Sequence, residues 1–264
     1  MFVHERENID RLWIPFDSVR TSVFLIQTTE GYLLFDCASS EYDIRKLLLP
    51  ELKKQGIPFE DIQWLFCSHF HSDHTGGLPY LLNDLPWIHI AAKDSSNVPP
   101  AFKHRVHMVC DTESIMNDLQ VLFTPGHSDD SISLLDKRTS TLLSGDALQQ
   151  RGIGKYGTGI ASPALYYQTI QRIRQLQPEC ILASHAYDPL GEKAEGTLAV
   201  KQYLDENEEY LLTLEAFVKK QVNADTSNAT LIAEQFRNTH PDFPFLPAWT
   251  VQTIIRKLST DEQE

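Results

Sequence analysis

The sequence predicts an α/β fold followed by a helical C-terminal extension. Over roughly the first 190 residues, short apolar segments of strand length alternate with segments whose apolar residues recur at helical spacing. Several of the strand-like segments are followed closely by a histidine or an aspartate. Beyond this region the pattern is helical. We therefore predict an α/β domain over residues 1–190 and a C-terminal helical cap over residues 191–264.

Composition limits the class of partner. Of the 264 residues, 42% are hydrophobic, which is enough for a large core, and the formal net charge is −13. A surface this acidic repels nucleic-acid phosphates and anionic lipids, so we expect no nucleic-acid or membrane partner. No stretch has the length and apolar character of a membrane span. A small-molecule substrate is the partner that the sequence favours.

The cysteines and the first residues favour a cytoplasmic protein. Cys37, Cys67, Cys110 and Cys180 are scattered without paired spacing, so we interpret them as reduced thiols of the core. Residues 1–8 lack the apolar segment of a signal peptide.

The first predicted elements are a hairpin and a helix. Residues 22–28 and 32–36 are mostly apolar, and the short link between them contains a glycine, which is typical of a β-hairpin. Residues 41–55 have apolar side chains at helical spacing, and a glycine ends this helix. Pro50 lies within it, and an internal proline kinks or splits a helix.

The next segments alternate between strand and helix. Residues 62–67 form an apolar run of strand length, residues 77–83 a short helix before a proline, and residues 87–92 another strand. We predict that residues 95–110 are irregular. This segment contains a small basic patch, which we interpret as a solvated loop rather than an anion site. The patch consists of Lys103, His104, Arg105 and His107.

The remaining elements of this domain are three strands, a helix and a last strand. Residues 119–123 are followed by the strand pair 132–135 and 141–144. Residues 163–177 begin with a proline, which is favoured in the first turn of a helix. Residues 180–183 are apolar and read as a strand that ends at the Ser-His pair directly after them.

Residues 68–77 contain a dense group of candidate metal ligands. His69, His71, Asp73 and His74 lie within six residues, directly after the strand predicted over 62–67. Imidazole and carboxylate together suit zinc or a similar first-row ion. The alternative is a set of histidines satisfied within the core. Without a metal, several of these polar groups would be left unpaired, at a cost of about 1–3 kcal/mol each, so we favour a metal site.

The same pattern recurs at other predicted strand ends. His127 follows the strand over 119–123, Asp146 follows the strand over 141–144, and His185 lies at the end of the last strand. Ligands at strand ends gather at one edge of an α/β sheet. With the first cluster they make five imidazoles and two carboxylates, which exceed the needs of one tetrahedral zinc. They suffice for two ions that share a carboxylate.

This set of motifs resembles the metallo-β-lactamase superfamily. The matching motifs are His-x-His-x-Asp-His at 69–74, Pro-Gly-His at 125–127, Gly-Asp at 145–146, and His185, so the resemblance covers roughly residues 20–190. It implies an αββα sandwich of two mixed sheets with helices outside. It also implies that one ion is held by His69, His71 and His127, that a second is held by Asp73, His74 and His185, and that Asp146 bridges them.

Within that superfamily the chain resembles hydrolase branches such as glyoxalase II. The bridging Asp146 and the histidine directly after Asp73 argue against a true antibiotic β-lactamase. The chain departs from common patterns of the superfamily at Asp36-Cys37-Ala38, where Asp-x-Gly is frequent, and at Gln149, where acyl-homoserine lactonases have tyrosine. The glyoxalase II substrate signature is not evident after His185. We expect Asp36 to orient a ligand histidine by a hydrogen bond.

The resemblance implies a hydrolase in which a hydroxide between two divalent ions attacks a small ester, thioester or lactone. Zinc is favoured, with iron and manganese as alternatives. Asp73 would be both a ligand and the catalytic residue that orients the nucleophile, and Tyr156 and Tyr187 are candidates for substrate contact. The alternatives are a phosphodiesterase, a mononuclear-iron persulfide dioxygenase and a non-catalytic metal-binding protein.

The helical cap has two alternative roles. Residues 198–222, 229–236 and 248–258 have helical patterns around the proline-rich link 240–247. The cap either covers the metal edge and shapes the substrate pocket or forms the interface of a homodimer. Its candidate core positions are Tyr203, Leu204, Leu211, Leu212, Leu214 and Phe217.

Overall fold

A computed structural model describes residues 1–224, 227–243 and 245–261. The first sheet follows the order β1-β2-β3-β4-β5-β6-β7. Its strands are Val3–Arg6 (β1), Ile9–Phe16 (β2), Val19–Thr28 (β3), Gly31–Phe35 (β4), Ile62–Phe66 (β5), His89–Ala92 (β6) and Val106–Met108 (β7). The strands pair antiparallel from β1 to β4 and parallel from β4 to β7.

The second sheet follows the order β13-β12-β11-β10-β9-β8. Its strands are Ser114–Ile115 (β8), Leu119–Phe123 (β9), Ile132–Asp136 (β10), Thr141–Gly145 (β11), Cys180–Tyr187 (β12) and Gly191–Glu195 (β13). The α-helices are Leu49–Lys54 (α1), Ser72–Thr75 (α2), Leu78–Asp84 (α3), Pro163–Leu176 (α4), Thr197–Val222 (α5), Ala229–Thr239 (α6) and Ala248–Asp261 (α7). The two mixed or antiparallel sheets with helices and a C-terminal helical extension confirm the predicted α/β class.

The chain divides into two compact units. The first is Met1–Phe123 with Ile132–Gly145, and the second is Thr124–Ser131 with Asp146–Glu264. The boundary predicted at residue 190, between the α/β domain and the helical cap, stays a prediction.

In the first unit, strands β4 and β5 end in residues that are buried on both faces of the sheet. Successive side chains of a strand point to opposite faces. Leu34 and Leu65 belong to a core cluster with the side chains of the helical segments, whereas the neighbouring Phe35 and Phe66 stack with ring centroids 5.2 Å apart. A strand buried on both faces reads as a continuous apolar run, which explains why β4 and β5 are evident from sequence.

In the second unit, the long helix α5 contacts α4, α6 and α7. Tyr203, Leu204, Leu211 and Leu214 are buried as predicted, but Leu212 is exposed, so that assignment is wrong. The three predicted helices of the cap are present, although residues 191–195 form strand β13 before them. Pro244 of the proline-rich link lies outside the described residues.

Strands β1 and β2 are absent from the predicted elements, and in β2 the reason is Arg11. It is fully buried in β2, where an apolar residue would reveal the strand. Its guanidinium is paired with Glu5 at 2.7 Å, donates to Ser22 Oγ and lies 4.6 Å from the ring centroid of Phe24. A charged residue at a core position interrupts the hydrophobic pattern from which strands are predicted.

The structure tests three other expectations. The helix predicted over 41–55 is split as expected, since a π-helical turn at Asp43–Leu48 precedes α1, whose first turn contains Pro50. The irregular segment 95–110 is wrong for 100–108, which form a 3-10 helix and β7. Arg105 of its basic patch donates to the backbone carbonyls of Leu82, Leu85 and Ile88, so this side chain is structural.

The structure also bears on the cysteines and on the expected absence of a membrane span. Cys37, Cys67 and Cys180 are buried free thiols, but Cys110 is exposed, so it is not a core residue. Burial raises the pKa of the Cys37 thiol well above its ordinary value. In the part of the chain that the structure describes, no helix combines the length and apolar character needed to cross a membrane.

Candidate metal centre

The first part of the site is built where β4 and β5 end. Asp36 follows β4 and is fully buried with a positive φ of 63°. Its carboxylate accepts hydrogen bonds from the Ser68 backbone N–H at 2.8 Å, the Ser68 hydroxyl at 2.8 Å and His74 Nδ1 at 2.8 Å. Burial raises the pKa of Asp36, and the neighbouring His74 opposes that shift. The predicted orienting role of Asp36 is confirmed in its geometry, and the second nitrogen of His74 is left to face the site.

Two glycines allow this loop to fold onto the turn after β4. A Cβ atom at Gly76 would lie 2.3 Å from the Ser39 carbonyl oxygen, and one at Gly77 would lie 2.2 Å from the Cys37 carbonyl oxygen. Any side chain there would displace the backbone. The Cys37 N–H donates to the His74 carbonyl at 2.8 Å, which holds α2 and its ligands in place.

The histidines of this loop present their ring nitrogens to one another. His69 Nδ1 donates to Ser68 Oγ at 3.0 Å, and His69 Nε2 lies 3.0 Å from His71 Nδ1. Two nitrogens bound to one tetrahedral zinc at about 2.0–2.1 Å would be about 3.3 Å apart, so this spacing suits a shared ion. Asp73 Oδ2 lies 3.3 Å from His74 Nε2. His69 and His74 are buried and His71 is exposed.

The second part of the site surrounds Asp146, which directly follows β11. Its Oδ2 lies 3.7 Å from His127 Nε2, whereas its Oδ1 lies 3.5 Å from His185 Nε2. The two oxygens of one buried carboxylate therefore face two different imidazoles. His185 lies inside β12, which continues to Tyr187, so the predicted strand end at 185 is wrong.

A hydrogen-bonded loop holds His127. Its Nδ1 donates to the Gly159 carbonyl at 2.8 Å, and the Gly159 N–H donates to Gln149 Oε1 at 2.7 Å. The Gln149 amide nitrogen lies 2.8 Å from His127 Nδ1 and 3.4 Å from Asp146 Oδ2. Gln149, the position at which the sequence departs from the lactonase pattern, thus bonds to Asp146 and to the loop, with its amide nitrogen beside the His127 ring.

Three groups among the predicted ligands could each hold a metal ion. Ligand atoms lie within 4.8 Å of one another in each of three groups: His69, His71 and His127; Asp73, His74 and His185; and His69, His74 and Asp146. This His/Asp cluster is able to bind metal ions, because imidazole nitrogens and carboxylate oxygens, which are common metal ligands, lie close together. The role of each residue as a ligand stays a prediction.

The predicted substrate tyrosines differ in position. Tyr187 is buried, with its ring centroid 5.7 Å from that of His185, whereas Tyr156 is exposed. Sequence reasoning missed Trp249, which is 47% exposed at the start of α7. A Cβ atom at Gly159 would lie 3.1 Å from the Trp249 indole and 3.2 Å from the His127 ring. The sequence signal that could have revealed it is an aromatic residue two positions after the proline-rich link.

Comparison with a family model extends over most of the chain. The model described as the metallo-beta-lactamase superfamily matches residues 17–185. A hydroxyacylglutathione hydrolase of Xanthomonas campestris is 30% identical over 122 residues, covering 46% of this chain and 46% of that protein. An atrochrysone carboxyl ACP thioesterase of Aspergillus aculeatus is 23% identical over 156 residues, covering 58% of this chain and 46% of that protein. The chain thus matches less than half of each of these curated relatives.

A solved structure has a similar fold. A metallo-beta-lactamase family protein from Thermus thermophilus superimposes with a TM-score of 0.69, covering 98% of this chain and 94% of that chain at 17% identity. At that identity the likeness concerns the fold alone.

Proposed function

Because this chain belongs to the metallo-beta-lactamase superfamily, we propose that it is a dinuclear metal-dependent hydrolase of a small ester, thioester or lactone. The observation that carries the proposal is the position of Asp146, whose two oxygens face His127 and His185 separately. A carboxylate placed in this way suits a bridge between two cations, since its charge offsets their mutual repulsion.

The proposed ligand sets follow the groups of converging side chains. His69, His71 and His127 would hold one ion, Asp73, His74 and His185 would hold the other, and Asp146 would be shared. Zinc fits these donors, with iron and manganese as alternatives. When bound, the ions would supply Lewis acidity and lower the pKa of a water towards neutral.

The chain's own residues would position the reactants. Asp73 is only partly buried and can accept a hydrogen bond from the attacking water, which orients it. His71 is exposed, so this side of the cluster is open to substrate. The Trp249 indole beside Gly159 would offer an apolar surface to the acyl part of the substrate.

The names of the relatives support acyl transfer to water. One is called a hydroxyacylglutathione hydrolase and another an ACP thioesterase. We therefore place thioesters first among the candidate substrates.

The test is a hydrolysis panel of an aryl ester, an acyl thioester, a lactone and a phosphodiester. We expect turnover of at least one acyl substrate, its loss after removal of metal by a chelator, and its return when zinc is added back.

Asp73→Asn should lower kcat by about 100-fold or more, as expected for an orienting or proton-accepting group. Cleavage of the phosphodiester alone, or oxygen uptake with a persulfide and no hydrolysis, would replace this proposal by the corresponding alternative. Metal binding without turnover of any substrate would favour a non-catalytic protein.

A further inference from the structure

Gln149 lies within the network of polar groups behind the His127 ring. Its side chain is only 4% exposed, so it has almost no access to bulk water. Its Oε1 accepts from the Gly159 N–H at 2.7 Å. Because an N–H can only donate, this contact fixes which end of the amide is oxygen. The amide nitrogen therefore lies on the other side, 2.8 Å from His127 Nδ1 and 3.4 Å from Asp146 Oδ2.

One proton of His127 decides how these groups pair. The Gly159 carbonyl oxygen lies 2.8 Å from the same Nδ1 atom that the Gln149 amide approaches. A carbonyl oxygen can only accept and an amide nitrogen can only donate. Nδ1 can therefore bond to the carbonyl only when it carries the proton, and to the amide only when it does not. The first arrangement leaves Nε2 with the lone pair that a metal ion needs.

The backbone on both sides of Gly159 is held in place. In the peptide unit before it, the N–H donates to Gln149, and the Thr158 carbonyl accepts from Thr250 Oγ1 at 2.8 Å. In the unit after it, the Ile160 N–H donates to the same Thr250 hydroxyl at 3.3 Å. Without the Gln149 oxygen, the first unit would lose one of these two hydrogen bonds. Gln149 thus helps to fix the carbonyl that accepts the His127 proton.

The donor end of Gln149 acts on one oxygen of Asp146. The amide nitrogen contacts Oδ2, which lies 3.7 Å from His127 Nε2. The other oxygen, Oδ1, lies 3.5 Å from His185 Nε2. A hydrogen bond to Oδ2 opposes rotation of the carboxylate and keeps this oxygen beside His127. Both ends of the Gln149 side chain therefore act on the part of the centre that contains His127.

We propose that Gln149 is a positioning residue of the metal centre. It holds His127 in the tautomer that leaves Nε2 free for a metal ion, and it keeps Oδ2 of Asp146 beside that ring. This inference rests on the proposed metal centre and adds a residue that supports one ion selectively. The ion assigned to His127 depends on Gln149, and the other proposed ion does not.

The test measures the two ions separately in the full-length protein. Competition between zinc-loaded protein and a chromophoric chelator gives the affinities, and after exchange of zinc for cadmium each bound ion gives its own cadmium NMR signal. Gln149→Met removes both polar ends and keeps a side chain of similar length. We expect it to lower the affinity for one ion by about 10–100-fold, the range typical of residues that orient metal ligands. One cadmium signal should shift or disappear while the other is unchanged.

A second variant and a control cover the case in which Gln149→Met fails to fold. Gln149→Asn keeps an amide but is shorter by one methylene, so its two ends cannot reach Gly159 and Asp146 together, and it should weaken the same ion. Gln150→Met is the matched control, because Gln150 is also buried but lies against the backbone of residues 187–190. It should leave both affinities and both signals unchanged. Wild-type affinities in the Gln149 variants, or an equal loss in Gln150→Met, would overturn the positioning role.

Metal binding separates this inference from the proposed hydrolysis. If the two ions respond to Gln149→Met as expected but no substrate is turned over, the positioning role stands and the hydrolase proposal fails. If a substrate is hydrolysed and neither Gln149 variant changes metal binding, the hydrolase proposal stands and the positioning role is wrong. A single bound ion that is weakened by Gln149→Met and not by Gln150→Met would support the positioning role and contradict the dinuclear centre.

Discussion

Three ring nitrogens that face away from the candidate centre have defined hydrogen-bond partners. His74 Nδ1 donates to Asp36, His69 Nδ1 to Ser68 Oγ, and His127 Nδ1 to the Gly159 carbonyl. A proton on Nδ1 leaves Nε2 with its lone pair, which is the form that binds a metal. These partners therefore hold the three rings in both the orientation and the tautomer that a metal centre requires.

Asp36→Asn tests this role at one residue. Loss of the charge that orients His74 should lower the affinity for one of the two metal ions by about 10–100-fold. Competition with a chromophoric chelator measures this affinity. Asp136→Asn is the matched control, because Asp136 is equally buried but accepts its hydrogen bonds from Asn8 and Arg138. Unchanged affinity for both ions in Asp36→Asn would show that this hydrogen bond does not support metal binding.

Asp146→Ala tests the shared carboxylate. Because its two oxygens face His127 and His185, we expect the variant to lose affinity for both ions, whereas Asp73→Ala should weaken only one. Metal content after dialysis against a weak chelator distinguishes the two results. Full metal content and full activity in Asp146→Ala would mean that Asp146 is not the bridge.

At the level of elements, Trp249 at the start of α7 lies against Gly159, which also lies beside the His127 ring. Trp249→Ala should raise the KM of the best acyl substrate several-fold and leave metal content and kcat nearly unchanged, because the indole would contact the substrate in the ground state and the transition state alike. Trp87→Ala is the control, since this tryptophan is 42% exposed compared with 47% for Trp249. If both variants have wild-type kinetics and Trp249→Ala loses a dimer, the cap forms a homodimer interface instead.

Helix α5 is tied to the loop that holds His127 by one buried amide. Asn207 Oδ1 accepts from the Gln150 N–H at 2.7 Å and from the Tyr166 hydroxyl at 2.8 Å. Asn207→Ala would leave both donors buried without this acceptor, at a cost of about 1–3 kcal/mol each. Urea unfolding should detect that loss, and Asn223→Ala at the exposed end of the same helix should change stability far less. A similar small effect in both variants would contradict the anchoring role.

The elements that the sequence predicts are those whose own residues carry a clear pattern. Strands β4 and β5 are largely apolar and are predicted, whereas β13 has the sequence Gly-Glu-Lys-Ala-Glu and has no strand pattern of its own. It pairs with β12 at the edge of its sheet. Its strand conformation comes from the backbone hydrogen bonds of a neighbour, which no local pattern reveals.

Over the whole molecule, the same reasoning explains which parts of the site are predictable. The seven candidate ligands are histidines and aspartates in short motifs after strand-like segments, so they can be identified from sequence alone. Trp249 is an ordinary residue, and only the fold shows that it lies against Gly159. The cytoplasmic location and the homodimer stay predictions.

The central claim is that two ions bind to each chain and share Asp146. The most direct test is elemental analysis of wild-type protein purified without chelators, with Asp146→Ala and Asp73→Ala analysed in parallel. We predict two divalent ions per wild-type chain, one in Asp73→Ala and fewer than one in Asp146→Ala. A single iron per wild-type chain that is retained when Asp73, His74 and His185 are each replaced would contradict the account and favour the dioxygenase alternative.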